Sequence, residues 1–410
     1  MSLDTLAVLL ATPDDFPPQP SDALLLSLGE FSSAQVGMLI ERFTAMDMGS
    51  RRDALQQLTI MSGTILVPPV RRWLAQAFAA VPLISPESAS SDDLDALERA
   101  VMIFRRWDAS GMGGLHRKAV VGQLNAVAET LREPHSPAVR QRLFQITADL
   151  AQLAGWMAYD QGLPGVAQRY YLLGLSACQE ARSPVLGAKI LGDMAWLSTQ
   201  YRHYEDSLNL TRTALYILPR TDSGVVRTEL LEVEFEAYVR LGNQAAATRA
   251  ADACVEAWQD AQGEPVPNWL HYMNQAEADC LAANAYIELA LRAEDSGHAL
   301  AYAERAERHA LSARASRPPG FDRSHALDEI RLAKVRLAQR DLAESVTVAQ
   351  LALELAAPMS STLVCDRLLS FHSELTARYP DDAHVIPFTE QLHDYVRRVA
   401  PHQERDIAVT

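Results

Sequence analysis

Cysteine is scarce in this chain: Cys178, Cys254, Cys280 and Cys365 are all there is, and none forms a CxxC pair. Their wide spacing excludes a disulfide framework or a zinc knot and fits buried thiols in a reducing cytoplasm, the expected location. Positive charge is short too. Lys and Arg number 37 against 52 Asp and Glu, a net charge of −15. Nucleic-acid binding rests on neutralising phosphates, so no direct nucleic-acid partner is expected, nor an anionic membrane surface. No run reaches the ~18 apolar residues of a membrane span, and "MSLDTLAVLL" lacks the positive n-region of a signal peptide. "SRRDALQQLTIMSGTILVPP" (50–69) has the double arginine and apolar run of an export signal, but it lies well inside the chain behind an acidic segment. It reads as a short buried helix after a basic turn.

Catalytic and metal motifs are missing as well. There is no GxSxG, HExxH or DxDxDG, and the 11 histidines are scattered, none paired at the i, i+4 spacing of a metal helix. The one glycine cluster, "DASGMGGLHRK" (108–118), follows no strand, and Lys118 lacks the offset and hydroxyl partner of a phosphate loop. It reads as a joint between helices. No catalytic residue, metal ligand or cofactor is expected, and the chain is not read as an enzyme.

What is there is helix. From residue 119 to 400 apolar residues recur at three- and four-residue steps, with no period-2 runs. Proline- and glycine-bearing breaks such as "EPHSP" (133–137), "QGEPVPNW" (262–269) and "RPPGF" (317–321) bound segments long enough for helical hairpins. Four regions are expected. Residues 1–47 form an acidic N-terminal segment of short helices or partial disorder, 48–132 a linker and N-terminal helical region, 133–400 a repeat solenoid, and 401–410 a disordered tail. The acidic segment carries no DNA-reading helix, because Ser32 to Ile40 offers base edges only Gln35 and no basic residue.

"LAGWMAYDQGLPGVAQRYYLLGL" (153–175) reads as helix yet contains Gly155 and Gly162, each costing a helix roughly 1 kcal/mol relative to Ala. A close pair of antiparallel helices accounts for both. Gly155 sits where the axes approach, Gly162 makes the turn, and Ala167 and Tyr171 are the small and large residues of the second helix. Later segments repeat the pattern more loosely: Ala195, Ser207 and Ala214; Gly242, Ala247, Ala251 and Cys254; Ala283, Ala299, Ala303 and Ala306; Ala333, Ser345, Ala349 and Ala352. The expected fold is all-α, a tetratricopeptide-type right-handed solenoid of about five hairpins plus capping helices.

Four stretches carry a closer resemblance: "MGSRRDALQQLTIMSGTILVPPVRRWL", "RRWDASGMGGLHRKAVVGQL", "ITADLAQLAGWMAYDQGLPGVAQRYYLLGL" and "PPGFDRSHALDEIRLAKVRLAQRDLAES". Over about 48–370 the chain resembles the tetratricopeptide sensor region of actinobacterial, Streptomyces-type Xre-family transcriptional regulators. The front departs from their pattern, since an acidic segment stands where those regulators carry a helix-turn-helix domain. The resemblance implies a regulatory sensor module that binds a peptide or small effector. The alternative is a DNA-free interaction scaffold or antagonist that holds a partner protein. A homodimer stays open.

In such a solenoid the first helix of each hairpin lines the concave face. In register with Gly155, the inward positions are Gln152, Trp156, Tyr159 and Asp160 in the first unit, and Trp196 and Gln200 in the second. The third offers Glu232 and Glu236, and the fourth Asn284 with Asn274 just before it. Aromatics at one end and carboxylates in the middle make a cleft expected to favour a cationic ligand group, with Asn and Gln pairing to amides.

Overall fold

The computed structural model describes residues 33–49, 60–71, 92–109, 113–218, 223–293, 295–380 and 382–400. The expectations for residues 1–32, the double arginine and 401–410 lie outside these. Among the described residues there is no strand. Three long helices come first among the described residues, α1 (Ser33–Gly49), α2 (Asp92–Ala109) and α3 (Gly113–Thr130), with a short helical stretch opening on a 3-10 turn at Gly63–Leu66 between the first two. Six pairs follow. They are α4 (Pro137–Asp160) with α5 (Pro164–Ala181), α6 (Pro184–Gln200) with α7 (Tyr204–Ile217), and α8 (Gly224–Arg240) with α9 (Gln244–Asp260). Then come α10 (Gln275–Arg292) with α11 (Ser296–Ser316), α12 (Asp322–Ala338) with α13 (Leu342–Ala356), and α14 (Thr362–Arg378) with α15 (Val385–Val399).

Local chemistry sets these boundaries. Pro137, Pro164 and Pro184 open three helices, where the missing N–H has no intrahelical partner to lose. Side chains of Ser136, Asn243, Asn274, Asp295, Asp341 and Ser361 accept from backbone N–H groups of the helices they precede. Left-handed residues recur in the hairpin turns: Gly162 at φ +71°, Arg202 at 66°, Gly242 at +72° and Arg340 at 65°. Glycine is free there and arginine is not, so two turns carry no glycine to betray them in the sequence. Within the glycine-bearing stretch 108–118, α2 ends at Ala109 and α3 begins at Gly113.

Gly155 meets the expectation for a close approach. A Cβ there would lie 2.5 Å from Cε1 of Tyr171 and 3.1 Å from the carbonyl oxygen of Ala167. Helices α4, α6, α8, α10, α12 and α14 pack each on the next, forming one layer, and their pair partners lie against them. The chain then returns on itself. Arg323, at the start of α12, reaches Asp108 on α2 at 3.0 Å and Asp160 at the end of α4 at 3.2 Å. Ser361, capping α14, donates to the other oxygen of Asp160 at 2.7 Å, and Leu363 joins the core built around α4.

The expected boundary between 47 and 48 falls inside α1. Ile40 and Phe43 enter the same core as Leu124, Val127 and Ala128 of α3, and Phe43 meets the Tyr170 ring edge-on at 4.9 Å. Asp47 is buried, ion-paired to Arg117 and accepting from the Tyr170 hydroxyl at 2.6 Å.

Candidate functional site

The inward faces of α4, α6, α8, α10, α12 and α14 surround one cavity of about 260 Å³. It lies beside the point where Arg323 joins the chain's distant parts. Six of the ten residues expected on the inward face line it: Gln152, Trp156, Trp196, Glu232, Glu236 and Asn284. The other four have different positions. Gln200 lies just behind the wall, donating to Glu236 at 3.4 Å. Tyr159 is buried, its ring 5.7 Å from that of Trp156. Asp160 belongs to the Arg323 junction; burial raises its pKa despite the opposing guanidinium. Asn274 caps α10, accepting from the Glu277 N–H at 3.1 Å. A side chain occupied as a cap has its oxygen committed to the backbone.

The expected acidic character needs correction. The wall carries as many cationic side chains as carboxylates. The cations the register did not supply come mostly from α12 and α14: Arg323, Arg331, Lys334 and Arg367. A buried chain of contacts runs along one side. Arg105 donates to Gln152 at 3.0 Å, Gln152 donates to Asp193 at 2.8 Å, and Lys189 contacts Asp193 at 2.7 Å and Glu229 at 3.3 Å. The Tyr272 hydroxyl donates to Glu229. Burial pulls the Lys189 ammonium down, but Asp193 and Glu229 outweigh it and hold its pKa well above the ordinary value. On the other side, Lys334 holds Glu374 at 2.7 Å and reaches Glu288 at 3.9 Å. Arg331 donates to Asn284 at 2.9 Å and pairs with Asp328 at 2.8 Å.

Glu236 keeps a partner, Arg240 at 3.4 Å. Glu232 does not: it is 6% exposed and makes no hydrogen bond or ion pair among the described residues. Burial raises its pKa, the neighbouring Glu236 raises it further, and Arg367 and Arg331 oppose this only in part. The Arg323 guanidinium lies 5.9 Å from the Trp156 ring centre, and that of Arg367 lies 5.1 Å from the centre of the Trp196 ring. His271 is held below its usual pKa by burial and then by Arg105.

Among the described residues no group of three or more His, Cys, Asp or Glu side chains is placed to hold a metal ion. All four cysteines are buried and unbridged, and burial pushes Cys178, Cys254, Cys280 and Cys365 up, away from the reactive thiolate. No described helix is long and apolar enough to cross a membrane. What the arrangement can do is bind: it is concave, aromatic on one wall, and supplied with fixed charges of both signs. No protein-family model matches the chain, and no curated protein matches it.

Proposed function

We propose that the chain is the effector-binding sensor module of a transcriptional regulator, built as a tetratricopeptide-type right-handed solenoid and acting in the cytoplasm by binding rather than catalysis. A peptide or small effector is its ligand, and the chain itself makes no direct contact with nucleic acid. The observation that carries this reading is the 260 Å³ cavity, lined by inward faces of six successive hairpins and walled by oriented charges. The resemblance of residues 48–370 to Xre-type sensor regions supports it, as does the net charge of −15.

Arg323 supplies a route for response. It lines the cavity and also ties α12 to α2 and to the end of α4. A ligand that touches it acts on the junction between distant parts of the chain, which is the differential contact a switch requires. The test is native mass spectrometry of the full chain after exposure to the low-molecular-weight fraction of an extract from its own cells. A retained adduct, lost when Trp156→Ala and Glu236→Gln are combined, is the expected result. A chain that retains nothing, or an adduct indifferent to both changes, sinks the reading.

A further inference from the structure

The charged groups of the cavity divide into those already neutralised and those left over. Lys189, Lys334, Arg331 and Arg323 each hold carboxylates. Arg367 does not. It makes no ion pair among the described residues, and its contact is the face of Trp196. Beside it, the Nε1–H of Trp196 is buried and has no acceptor. The hydroxyl of Tyr159, a residue 7% exposed, also makes no hydrogen bond among the described residues, and Arg367 lies close enough to act on it electrostatically. Two of these donors, Trp196 on α6 and Arg367 on α14, stand together on the cavity wall, with Tyr159 on α4 outside the lining. Facing them is the reverse deficiency, the Glu232 carboxyl, buried in the wall without a donor, with Glu236 one helical turn further on.

A buried polar group without a partner calls for an explanation; the Trp196 N–H is such a group, while Arg367, Tyr159 and Glu232 lack protein partners but keep polar atoms in reach of solvent or a ligand. The leftover groups fix what a ligand must offer. A purely anionic ligand would satisfy Arg367 and Trp196 but set its charge beside Glu232, Glu236 and Asp193. A purely cationic one would satisfy Glu232 and meet Arg331, Lys334 and Arg367. An apolar one would seal Arg367 and Glu232 away from water, where each loses its hydration for nothing. Only a molecule carrying an acceptor charge at one end and a donor charge at the other satisfies both sets. The cavity volume sets its size at a few residues of peptide or less.

We propose that the cavity binds a small amphoteric molecule, an amino acid or short unblocked peptide, with its carboxylate on Arg367 and the Trp196 indole N–H and its amine on Glu232 and Glu236. This assignment rests on the effector reading above and names the ligand class of that same cavity. The carboxylate takes two donors of different geometry, a charged fork and a single N–H, which fixes its orientation as well as its charge. An arriving ammonium favours the ionised form of Glu232. Glu236, Glu229, Arg331 and Arg367 are the charged groups that act on this carboxyl.

The experiment is thermal-shift and calorimetric titration of the full chain with four probes. They are an equimolar tripeptide mixture with free termini, the same mixture C-terminally amidated, the same mixture N-acetylated, and a mixture of the free amino acids. The free-termini tripeptides or the amino acids raise the melting temperature, and the response of one but not the other tells which source the chemistry has. Each block of a terminus weakens binding about tenfold or more. Arg367→Gln abolishes the preference for a free carboxylate, Arg367→Lys retains part of it, and Glu232→Gln abolishes the preference for a free amine. If Arg367→Gln does not fold, Trp196→Phe removes the N–H while keeping the ring, and it must weaken the carboxylate preference alone. The proposal is overturned if none of the four probes shifts the melting temperature, if blocked and free peptides bind alike, or if Arg367→Gln leaves the preference unchanged. Any of these alongside a retained adduct in the native mass spectrum overturns the amphoteric assignment and leaves the effector reading standing.

Discussion

Helices α5 and α11 are the second members of two hairpins, yet they live in different surroundings. In α5 nearly every residue is buried, including Gln168, Arg169, Tyr170 and Tyr171. In α11 burial is confined to Ala303, Ala306, Ala310 and Ala313, one stripe facing its pair, while Leu300 and Leu311 stand 55% and 42% exposed. The difference is a second cover. Helix α1 lies against α5 through Phe43 and Asp47, and residues 60–71 lie against it through Met61, whose N–H and carbonyl both bond to the Gln168 amide at 2.6 and 2.7 Å. The same segment reaches α7, where the Gly63 N–H donates to Asp206 at 2.9 Å. A helix pair that repeats along a chain needs only a small-residue stripe. A pair that is also roofed must carry polar groups aimed outward at defined partners, and α5 does.

The largest expected effect tests the roof. Asp47→Ala leaves the Arg117 guanidinium and the Tyr170 hydroxyl buried without their acceptor. Breaking a buried pair in this way costs about 3–5 kcal/mol. Chemical denaturation of the full chain measures it. A loss under about 1 kcal/mol would mean that α1 rests on α5 without being part of its core, and the contrast with α11 would shrink to an accident of packing.

Next comes the contact inside the first hairpin. Gly155→Leu drives a side chain into the Tyr171 ring, which α5 cannot move aside because its far face is covered. Overpacking of this kind costs about 1–3 kcal/mol, and the covered position places it at the upper end. Gly162→Leu strains a left-handed turn instead, at about 1 kcal/mol or more. Calorimetric melts of the two variants rank them, and a Gly155→Leu protein that melts no lower than Gly162→Leu contradicts the packing argument.

Gly155, Gly162, Ala167 and Tyr171 were legible because each answers a geometric demand made within one hairpin. The roof was not. Asp47 finds Tyr170, and Met61 finds Gln168, across more than a hundred residues, and no periodicity marks a polar side chain with a distant partner. The cavity divides the same way. Trp156, Trp196, Glu232, Glu236 and Asn284 follow from the helical register, which the glycines fix. Arg323, Arg331 and Arg367 stand on α12 and α14, past the four units over which the register was carried, and the return of the chain that brings Arg323 to Asp160 leaves no local mark. An acidic cleft was therefore the reading of half a wall.

A smaller effect separates the two regions by the sign of their pH response. Asp206, under the roof, has its pKa raised by burial, with the Gly63 N–H and His203 opposing and Glu205 adding. Its stability contribution is complete below the unfolded carboxylate pKa and is lost as pH rises through the higher folded value. Asp279, on α10 beside α11, is lowered on balance: burial raises it, but His309, Ser312 and Gln275 outweigh that. Its contribution is present above the unfolded pKa and lost as pH falls through the folded one. Asp206→Asn, which keeps an acceptor for Gly63, should leave stability level or higher at neutral pH and cost most in acid. Asp279→Asn should cost most at neutral pH and least in acid. Melting temperatures taken from pH 3 to pH 8 read both, the range bracketing the ordinary carboxylate pKa of about 4. Parallel pH profiles for the two variants would erase the distinction.

The smallest effect is expected on the open face. Leu300→Ser and Leu311→Ser, made together, remove apolar surface that already faces water in the single chain. Neither residue packs into the alanine stripe, so no cavity forms and no polar group is buried. Such changes fall within about 0.5 kcal/mol. The same two residues are also where a second copy of the chain would find apolar surface to cover, and that gives the experiment its force. Sedimentation equilibrium of the wild-type chain and of the double variant, run beside the melts, distinguishes the cases. Unchanged stability with unchanged molecular mass means that α11 ends the structure on that side, with water as its cover. A wild-type dimer with a concentration-dependent melting temperature, converted by the double change to a monomer whose melting temperature is lower and independent of concentration, means that α11 is roofed after all. Its roof would then come from another molecule, where α5 has one from its own chain.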